Sequence, residues 1–482
     1  MPHIVVIGAG ITGLTAARRL IAAGAQVTVL EAAPRVGGQL HTTRHAGIDL
    51  DVGAEAMYAA IPAPVELARE LGHGEDIVPA AAGTTWIRTE RGLKPLPAGF
   101  GPAGPTRLWP VLRAGVLSPV GAVRAGLEPL RGAATIDDDT SVGGLLDERF
   151  GRQVTDRLVD PLLGGLHSGD VRKLSVTAAT PQLAALARSH RSLLLRRRRP
   201  PSPGPTFVTL RGGMQSLPRA LAAGLPAGTL HLDTEVVTIE TGDGDRRGAA
   251  GEMAAVGDRS GGLVTVVAHD GRTWSADGVV LTTPARVAAP LLDRASPEAA
   301  AAIGALRAAS VAVTLLSYPA EVADTPALAG TGLLVPSRRG QLLKAATFLS
   351  TKWPHLHGDD VSRRNGPQRF HVRASAGRID DHRVDNLDDG ELAARVHQEL
   401  VDATGLSADP LEVAVHRWPR TMPQLEVGHA GRLAAATTAL ARDLPGVVLA
   451  GAPYVGPGLG ACLRSANVAV DRFIPTHQEL PA

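Results

Sequence analysis

The apolar positions of the first 31 residues change period twice. His3-Ile4-Val5-Val6-Ile7 is a short, nearly continuous apolar run, as expected of a strand buried on both faces. Leu14 to Ala23 is rich in Ala, Leu and Arg without a breaker, which predicts a helix that Gly24 closes. Val27-Thr28-Val29-Leu30 then returns to a buried strand and ends on an acid, Glu31. Further helices are predicted over 62–72, 214–223, 390–403 and 460–473, and from Thr140-Ser141 to Phe150, where a hydroxyl can cap the first turn. Strands are predicted at 207–210, 231–240, 263–269, 279–284, 311–318, 332–335, 342–349, 369–374 and 447–450. From about 92 to 205 the strand signal fades and Pro, Gly and Arg punctuate Leu/Val-rich pieces, so a helical subdomain is expected. The stretch 241–262 has no apolar period and reads as a long hairpin loop. The run Arg196-Arg197-Arg198-Arg199-Pro200-Pro201 reads as a solvated basic surface loop ending in a linker.

Composition narrows the class. With 482 residues, 44% hydrophobic and 20% charged, the chain is ordinary globular material of about three domains' length, not a disordered, collagenous or coiled-coil protein. A formal charge of +2 gives no general nucleic-acid footprint. The basic residues are nearly all arginine, which forks onto carboxylates or phosphates and equally follows from coding composition. One cysteine, Cys462, excludes internal disulfides and centres ligated by several thiolates, and no metal site is expected. A cytoplasmic chain, peripheral at most, is expected: no signal-type segment opens it and no apolar run reaches about 18 residues unbroken.

Gly8-Ala9-Gly10-Ile11-Thr12-Gly13 follows the first strand and opens the first helix. Gly8 permits the turn, Gly10 lets the backbone approach a pyrophosphate, and Gly13 allows close packing of helix on strand. The helix N-terminus supplies N–H groups to the anion, and Glu31 can accept from both ribose hydroxyls. Strand, glycines, helix, strand and acid in this order make a dinucleotide site far better supported than the glycines alone. Glu31-Ala32-Ala33-Pro34-Arg35-Val36-Gly37-Gly38 resembles the E-x-x-x-R-x-G-G extension of flavoproteins that bind FAD. Arg35 brings a cation toward the pyrophosphate, and Gly37 and Gly38 let the chain pass a flat ring. No second glycine motif with flanking strand and helix occurs, so electrons should pass to oxygen or another small acceptor.

Four further segments carry a closer resemblance. Asp49-Leu50-Asp51-Val52-Gly53-Ala54-Glu55 resembles the segment beside the flavin in amine-oxidase-like enzymes. Val159 to Asp170, Leu210 to Pro218 and Arg417 to Gln424 resemble signatures of the porphyrinogen oxidases, and Ala450 to Leu459 their closing FAD motif. On these motifs, spread over nearly the whole chain, the sequence is similar to the oxygen-dependent coproporphyrinogen III and protoporphyrinogen oxidases of haem synthesis.

The resemblance implies an α/β fold with a Rossmann-like FAD-binding domain in three pieces, 1–91, 206–285 and 405–482. Residues 286–404 would supply the main part of a substrate-binding domain of mixed sheet and helices, and 92–205 a helical subdomain able to face a membrane. It implies three two-electron oxidations of a porphyrinogen, with hydride passing to flavin N5 and oxygen reoxidising the flavin to give hydrogen peroxide. FAD contacts would come from Gly8, Gly10, Ile11, Thr12, Gly13, Glu31, Ala32, Arg35 and Gly38. Gly53, Ala54, Val236, Trp418, Gly456, Gly458 and Leu459 would complete them. Glu55 would sit over the flavin edge, able to bond pyrrole N–H groups, although eukaryotic members have arginine there. Those members also place an arginine after L-P-x-G, where this chain has Gly101. Arg44, Arg211, Lys344 and Arg420 are the candidate propionate anchors. The missing arginine favours coproporphyrinogen III over protoporphyrinogen IX. A flavin amine oxidase, a carotenoid desaturase and a flavin-free binding protein of the same fold are the rivals. The implied partners are a porphyrinogen and molecular oxygen, with a transient haem-pathway enzyme or peripheral membrane contact left open.

Overall fold

A computed structural model describes the chain except residues 102–103, 106–107, 132–135, 137–139, 190–191, 196–203, 242–262, 358–368 and 475–482. The basic run and most of the expected hairpin loop therefore lie outside the described residues. His3–Ile7 is the central strand of a five-stranded parallel sheet, flanked by Gln26–Leu30 and Gly278–Leu281, with Leu230–His231 and Val447–Leu449 at the edges. Both faces of this sheet are covered, which is why its strands read as unbroken apolar runs. On one face Ile4, Val6 and Val29 pack with Leu14 and Leu20 of helix Ile11–Ala22 and with Leu463 and Ala466 of helix Leu459–Val470. On the other, Val5, Ile7 and Val279 pack with helices Ala285–Leu292, Pro297–Gly304 and His429–Asp443.

A second, seven-stranded sheet runs in the order Glu412–Pro423, Ala308–Pro319, Arg369–Ala376, Leu343–Phe348, Gly332–Leu334, Thr85–Thr89, Gly92–Pro95. Its outer face packs against helix Asp389–Thr404 through Leu392, Val396 and Leu400. That helix starts with a full capping box between Asp388 and Glu391 and ends at Gly405, in the left-handed conformation. On the inner face, Leu315 stands opposite Arg373 on one side and Ala414 on the other.

Several details depart from the sequence expectations. Residues 85–89 and 412–423, expected with the dinucleotide-binding segments, pair in the seven-stranded sheet instead. The expected strand 231–240 splits: Leu230–His231 joins the parallel sheet, while Val236–Thr241 opens an antiparallel meander with Val264–Ala268 and Thr273–Ala276. The helices beginning at Ala285 and Pro297 pack on the parallel sheet's core, not with the seven-stranded sheet. Residues 92–105 hold short strand pairs before the helices begin.

Within the helical region, Ser141 caps Val142–Phe150 by accepting from the Gly144 N–H at 3.0 Å. Thr155–Gly164 is wound as a π-helix around Pro161, whose missing N–H an ordinary helix would not accommodate without a kink. Among the described residues, no helix is long and apolar enough to cross a membrane.

Candidate functional site

The first strand delivers the chain into a turn where each glycine meets a different demand. Gly8 has φ +103°, and a Cβ there would lie 2.7 Å from the Thr282 hydroxyl. A Cβ on Gly13 would lie 2.0 Å from the Gly8 carbonyl oxygen, so the helix could not seat against the turn. Around Gly10, in contrast, nothing lies within 4 Å of the Cβ position. That open side faces the start of helix Ile11–Ala22, which has no side-chain cap and no acid in its first turn. Its free N–H groups and positive dipole end suit an anion. The helix Leu459–Val470, which packs along it, begins at Gly458 in the same way: uncapped, without a first-turn acid, and with open space at the glycine. Cys462, early in that helix, turns its Sγ toward Gly456 O, 3.9 Å away. Gly456, just before, has φ +95°. Cys462 itself is buried, as a small apolar side chain would be.

Glu31 braces this turn. Its Oε2 accepts from the Ala9 N–H at 2.7 Å and its Oε1 from the Ala33 N–H at 2.9 Å. A carboxylate has about four acceptor positions, so lone pairs remain for hydroxyl donors. Ala32 is exposed beside it. The backbone of 231–234 runs along Glu31 to Ala33, with bonds from Glu31 N to His231 O and from Thr234 N to Glu31 O, which brings Val236 close by. Gly37 bridges to Gly10, and a Cβ on Gly38 would come 3.6 Å from the Gly10 Cα. Arg35 folds back over this loop, donating to the Gly38 carbonyl at 3.1 Å; burial lowers its pKa, which Glu31 partly opposes.

The segment from Asp51 to Glu55 is held from three sides. Gly53 passes so near residue 39 that a Cβ would fall 1.8 Å from the Gln39 carbonyl oxygen. Ala54 N–H donates to the same oxygen at 3.1 Å. The Trp418 indole donates to Val52 O at 2.8 Å, with His416 and His41 packed beside the ring. Arg373 donates to Asp51 O at 3.0 Å and Gly53 O at 2.6 Å, and its Nη1 stands 3.4 Å from Glu55 Oε2. Lys352 donates to Glu55 Oε1. Burial pushes the Glu55 pKa up, but Lys352 and Arg373 outweigh it and hold the carboxyl below its ordinary value. Glu55 Oε2 is buried without a hydrogen bond, so it is an acceptor with capacity to spare. Asp51 accepts from the Thr42 hydroxyl at 2.6 Å and Met214 N–H at 3.0 Å, yet burial raises its pKa to about 6. A cavity of about 20 Å³ adjoins Asp51, Glu55, Thr209 and Arg211.

The four candidate anchors occupy different settings. Arg44 is exposed and paired with Asp49 at 3.2 Å. Arg211 is exposed at the mouth of that small cavity. Arg420 is exposed beside Trp418, with φ +46°. Lys344 alone of the four is buried, 3% exposed, bonded to the Ser168 hydroxyl. His167, next in the chain, is also buried, and desolvation pushes its pKa down to about 4. Sequence reasoning missed Lys352, Arg373 and Arg378. Arg373 carried a usable signal, since a charge inside a strand with apolar neighbours needs a buried partner.

A family model described as flavin containing amine oxidoreductase matches residues 11–471, and the chain belongs to that family. FAD is its cofactor. Relatives named as porphyrinogen oxidases match over nearly the full length. A coproporphyrinogen III oxidase from Mycobacterium leprae (strain TN) is 33% identical, with 97% of each chain covered. One from Bacillus subtilis (strain 168) is 28% identical, again over 97% of each chain. A crystal structure of a provisionally named protoporphyrinogen oxidase from Exiguobacterium sp. 255-15 superposes with a TM-score of 0.81 at 26% identity, covering 98% of both chains. The geometry suits the cofactor: an open glycine at an uncapped helix start, a braced acid beside it, and a buried acceptor with an unused lone pair at Glu55.

Proposed function

We propose that this chain oxidises coproporphyrinogen III to coproporphyrin III in haem synthesis, with molecular oxygen as the final acceptor. The full-length likeness to coproporphyrinogen III oxidases carries the reading. Each of three rounds removes two electrons and two protons from the porphyrinogen and reduces one oxygen molecule to hydrogen peroxide. Bound FAD supplies the two-electron acceptor for each round. The protein's task is placement and charge. The helix start at Gly10, with Ile11 and Thr12, would hold the pyrophosphate, Glu31 and Ala32 the ribose and Val236 the adenine, while Gly458 and Leu459 would lie with Trp418 near the isoalloxazine. Gly8, Gly13, Arg35, Gly38, Gly53, Ala54, Gly456 and Trp418 shape the rest of the cradle. Glu55, kept anionic by Lys352 and Arg373, accepts from pyrrole N–H groups and favours positive charge developing on the tetrapyrrole.

Purified protein given coproporphyrinogen III in air should generate porphyrin fluorescence and three equivalents of peroxide. Initial rates should favour it over protoporphyrinogen IX; a large preference for the latter would replace the substrate, and no turnover of either would end the reading.

We also propose peripheral membrane contact. Trp109, Val120, Val123, Leu127 and Leu130 are exposed on consecutive short elements of the helical region, with Arg113 stacked 5.9 Å from the Trp109 ring. Apolar tips beside cations suit an anionic lipid surface. Co-sedimentation with phosphatidylglycerol vesicles should fall several-fold in Trp109→Ala/Val123→Asp; equal sedimentation of both proteins would remove the contact.

A further inference from the structure

Where the π-helix meets the seven-stranded sheet, positive charge is buried in excess of its partners. Lys344 lies on strand Leu343–Phe348, and its hydrogen-bond partner among the described residues is a neutral hydroxyl, that of Ser168. No carboxylate stands within ion-pairing distance of it among the described residues. Burial lowers its pKa far, and the charges acting on it, Arg378 and Arg373, lower it further. Arg378 donates from Nη2 to Val335 O at 2.6 Å but buries Nε and Nη1 without hydrogen bonds. The acids that act on Arg378 offset its burial only in part and are engaged elsewhere: Asp160 accepts from Ser337 N at 2.7 Å and Ser337 Oγ at 2.8 Å, and Asp381 pairs with Arg383 at 2.7 Å. Glu55 is shared by Lys352 and Arg373.

The surroundings are fixed rather than adaptable. Ser168 holds a left-handed φ of 53°, and its carbonyl accepts from the Ile379 N–H at 2.6 Å, which sets the hydroxyl near Arg378. Beside it, Gln424 Nε2 donates to His167 O at 2.8 Å, while Gln424 Oε1 and His167 Nδ1 are buried without partners. Burying the Lys344 ammonium with no carboxylate beside it, and two Arg378 nitrogens with no acceptor, is costly, and the cost is recovered when an anion arrives. The cluster is continuous with the site above. Arg373, whose charge acts on Lys344, also stands 3.4 Å from Glu55 Oε2.

We propose that Lys344 and Arg378, oriented by Ser168, form a subsite that takes one carboxylate of the substrate. The proposal rests on the porphyrinogen reading, whose substrate carries carboxylates on flexible arms, and assigns this subsite a part in selecting the tetracarboxylate. A carboxylate oxygen would accept from the Lys344 ammonium and the free Arg378 N–H groups, completing charge-assisted bonds that the protein itself leaves unmade.

The test uses the FAD-loaded enzyme. Lys344→Met should raise KM for coproporphyrinogen III, and Kd for coproporphyrin III read by fluorescence, by about 10- to 100-fold. Its kcat should fall far less, and bound flavin should match wild type. Lys344→Arg should restore part of the affinity. Binding of coproporphyrin III tetramethyl ester, which offers no carboxylate, should be unmoved by Lys344→Met. Unchanged coproporphyrin III binding in folded Lys344→Met overturns the subsite. Should that variant not fold, wild-type binding decides: the free acid must bind at least about ten-fold tighter than the ester, and equal binding overturns the proposal. Wild-type enzyme that neither turns over coproporphyrinogen III nor binds its product defeats the functional reading; turnover indifferent to Lys344 defeats this inference alone.

Discussion

Asp51 shows how burying one carboxyl can work against the fold. Its carboxyl is enclosed by Thr42, Met214 and Arg373, and burial outweighs those groups, so its pKa rises to about 6 from 3.8. The folded state therefore holds this proton more tightly than the unfolded chain does. Stability from this residue is greatest below pH 4 and is lost as pH rises through 6, by about 3 kcal/mol for a two-unit shift. Asp51→Asn should thus match wild type in urea unfolding at pH 4 and exceed it by about that amount at pH 7. A constant difference across the range would mean that Asp51 ionises normally. Individual residues were unevenly legible. Glu31, Gly8 and Gly13 could be placed because their demands are local, set by a turn of a few residues. Glu55 was identified as a candidate, but not its partners, since Lys352 arrives from the short helix Leu349–Lys352 and Arg373 from a strand, each some 300 positions away.

At the scale of elements, the opening strand–turn–helix–strand unit was readable because periodicity, glycine spacing and the terminal acid agree. The long strand Glu412–Pro423 was not. It contains Arg417, Pro419 and Arg420, which break alternation, and it tolerates them because it is an edge strand with a register shift between its pairings at Ala309 and Val311. The helix His429–Asp443 escaped for another reason: its alanine-rich face is only moderately apolar, and it starts without a capping side chain. In the opening unit, Glu31 couples the turn to the exit of the second strand through two backbone N–H bonds. Glu31→Ala removes both, and the acceptor proposed for the ribose with them. Bound flavin after gel filtration should fall, reflecting at least about ten-fold weaker FAD affinity. Full flavin occupancy would show that the brace is structural and the ribose is held elsewhere.

The whole molecule joins two sheets through the segments that frame Glu55, with the helical region alongside. That region closes on a buried ion pair. Glu128 and Arg149 are both fully buried, Nε to Oε1 at 3.4 Å. Glu128 also accepts from the Ser192 hydroxyl at 2.6 Å and Leu193 N–H at 2.9 Å, so it pins the returning chain to helix Val142–Phe150. Such a pair adds little net stability over an apolar replacement, but removing one partner strands the other charge. Arg149→Met should therefore cost about 3–5 kcal/mol, while Glu128→Gln with Arg149→Met should recover a good part of that loss. The cycle can be read by urea unfolding followed by circular dichroism, with flavin absorbance as a second probe. Retained flavin alongside lost helical signal would locate the damage in the helical region and show that the FAD-binding sheet stands without it. Simple additivity of the two substitutions would mean that Glu128 is held by its hydroxyl and amide donors, and that Arg149 contributes packing rather than charge.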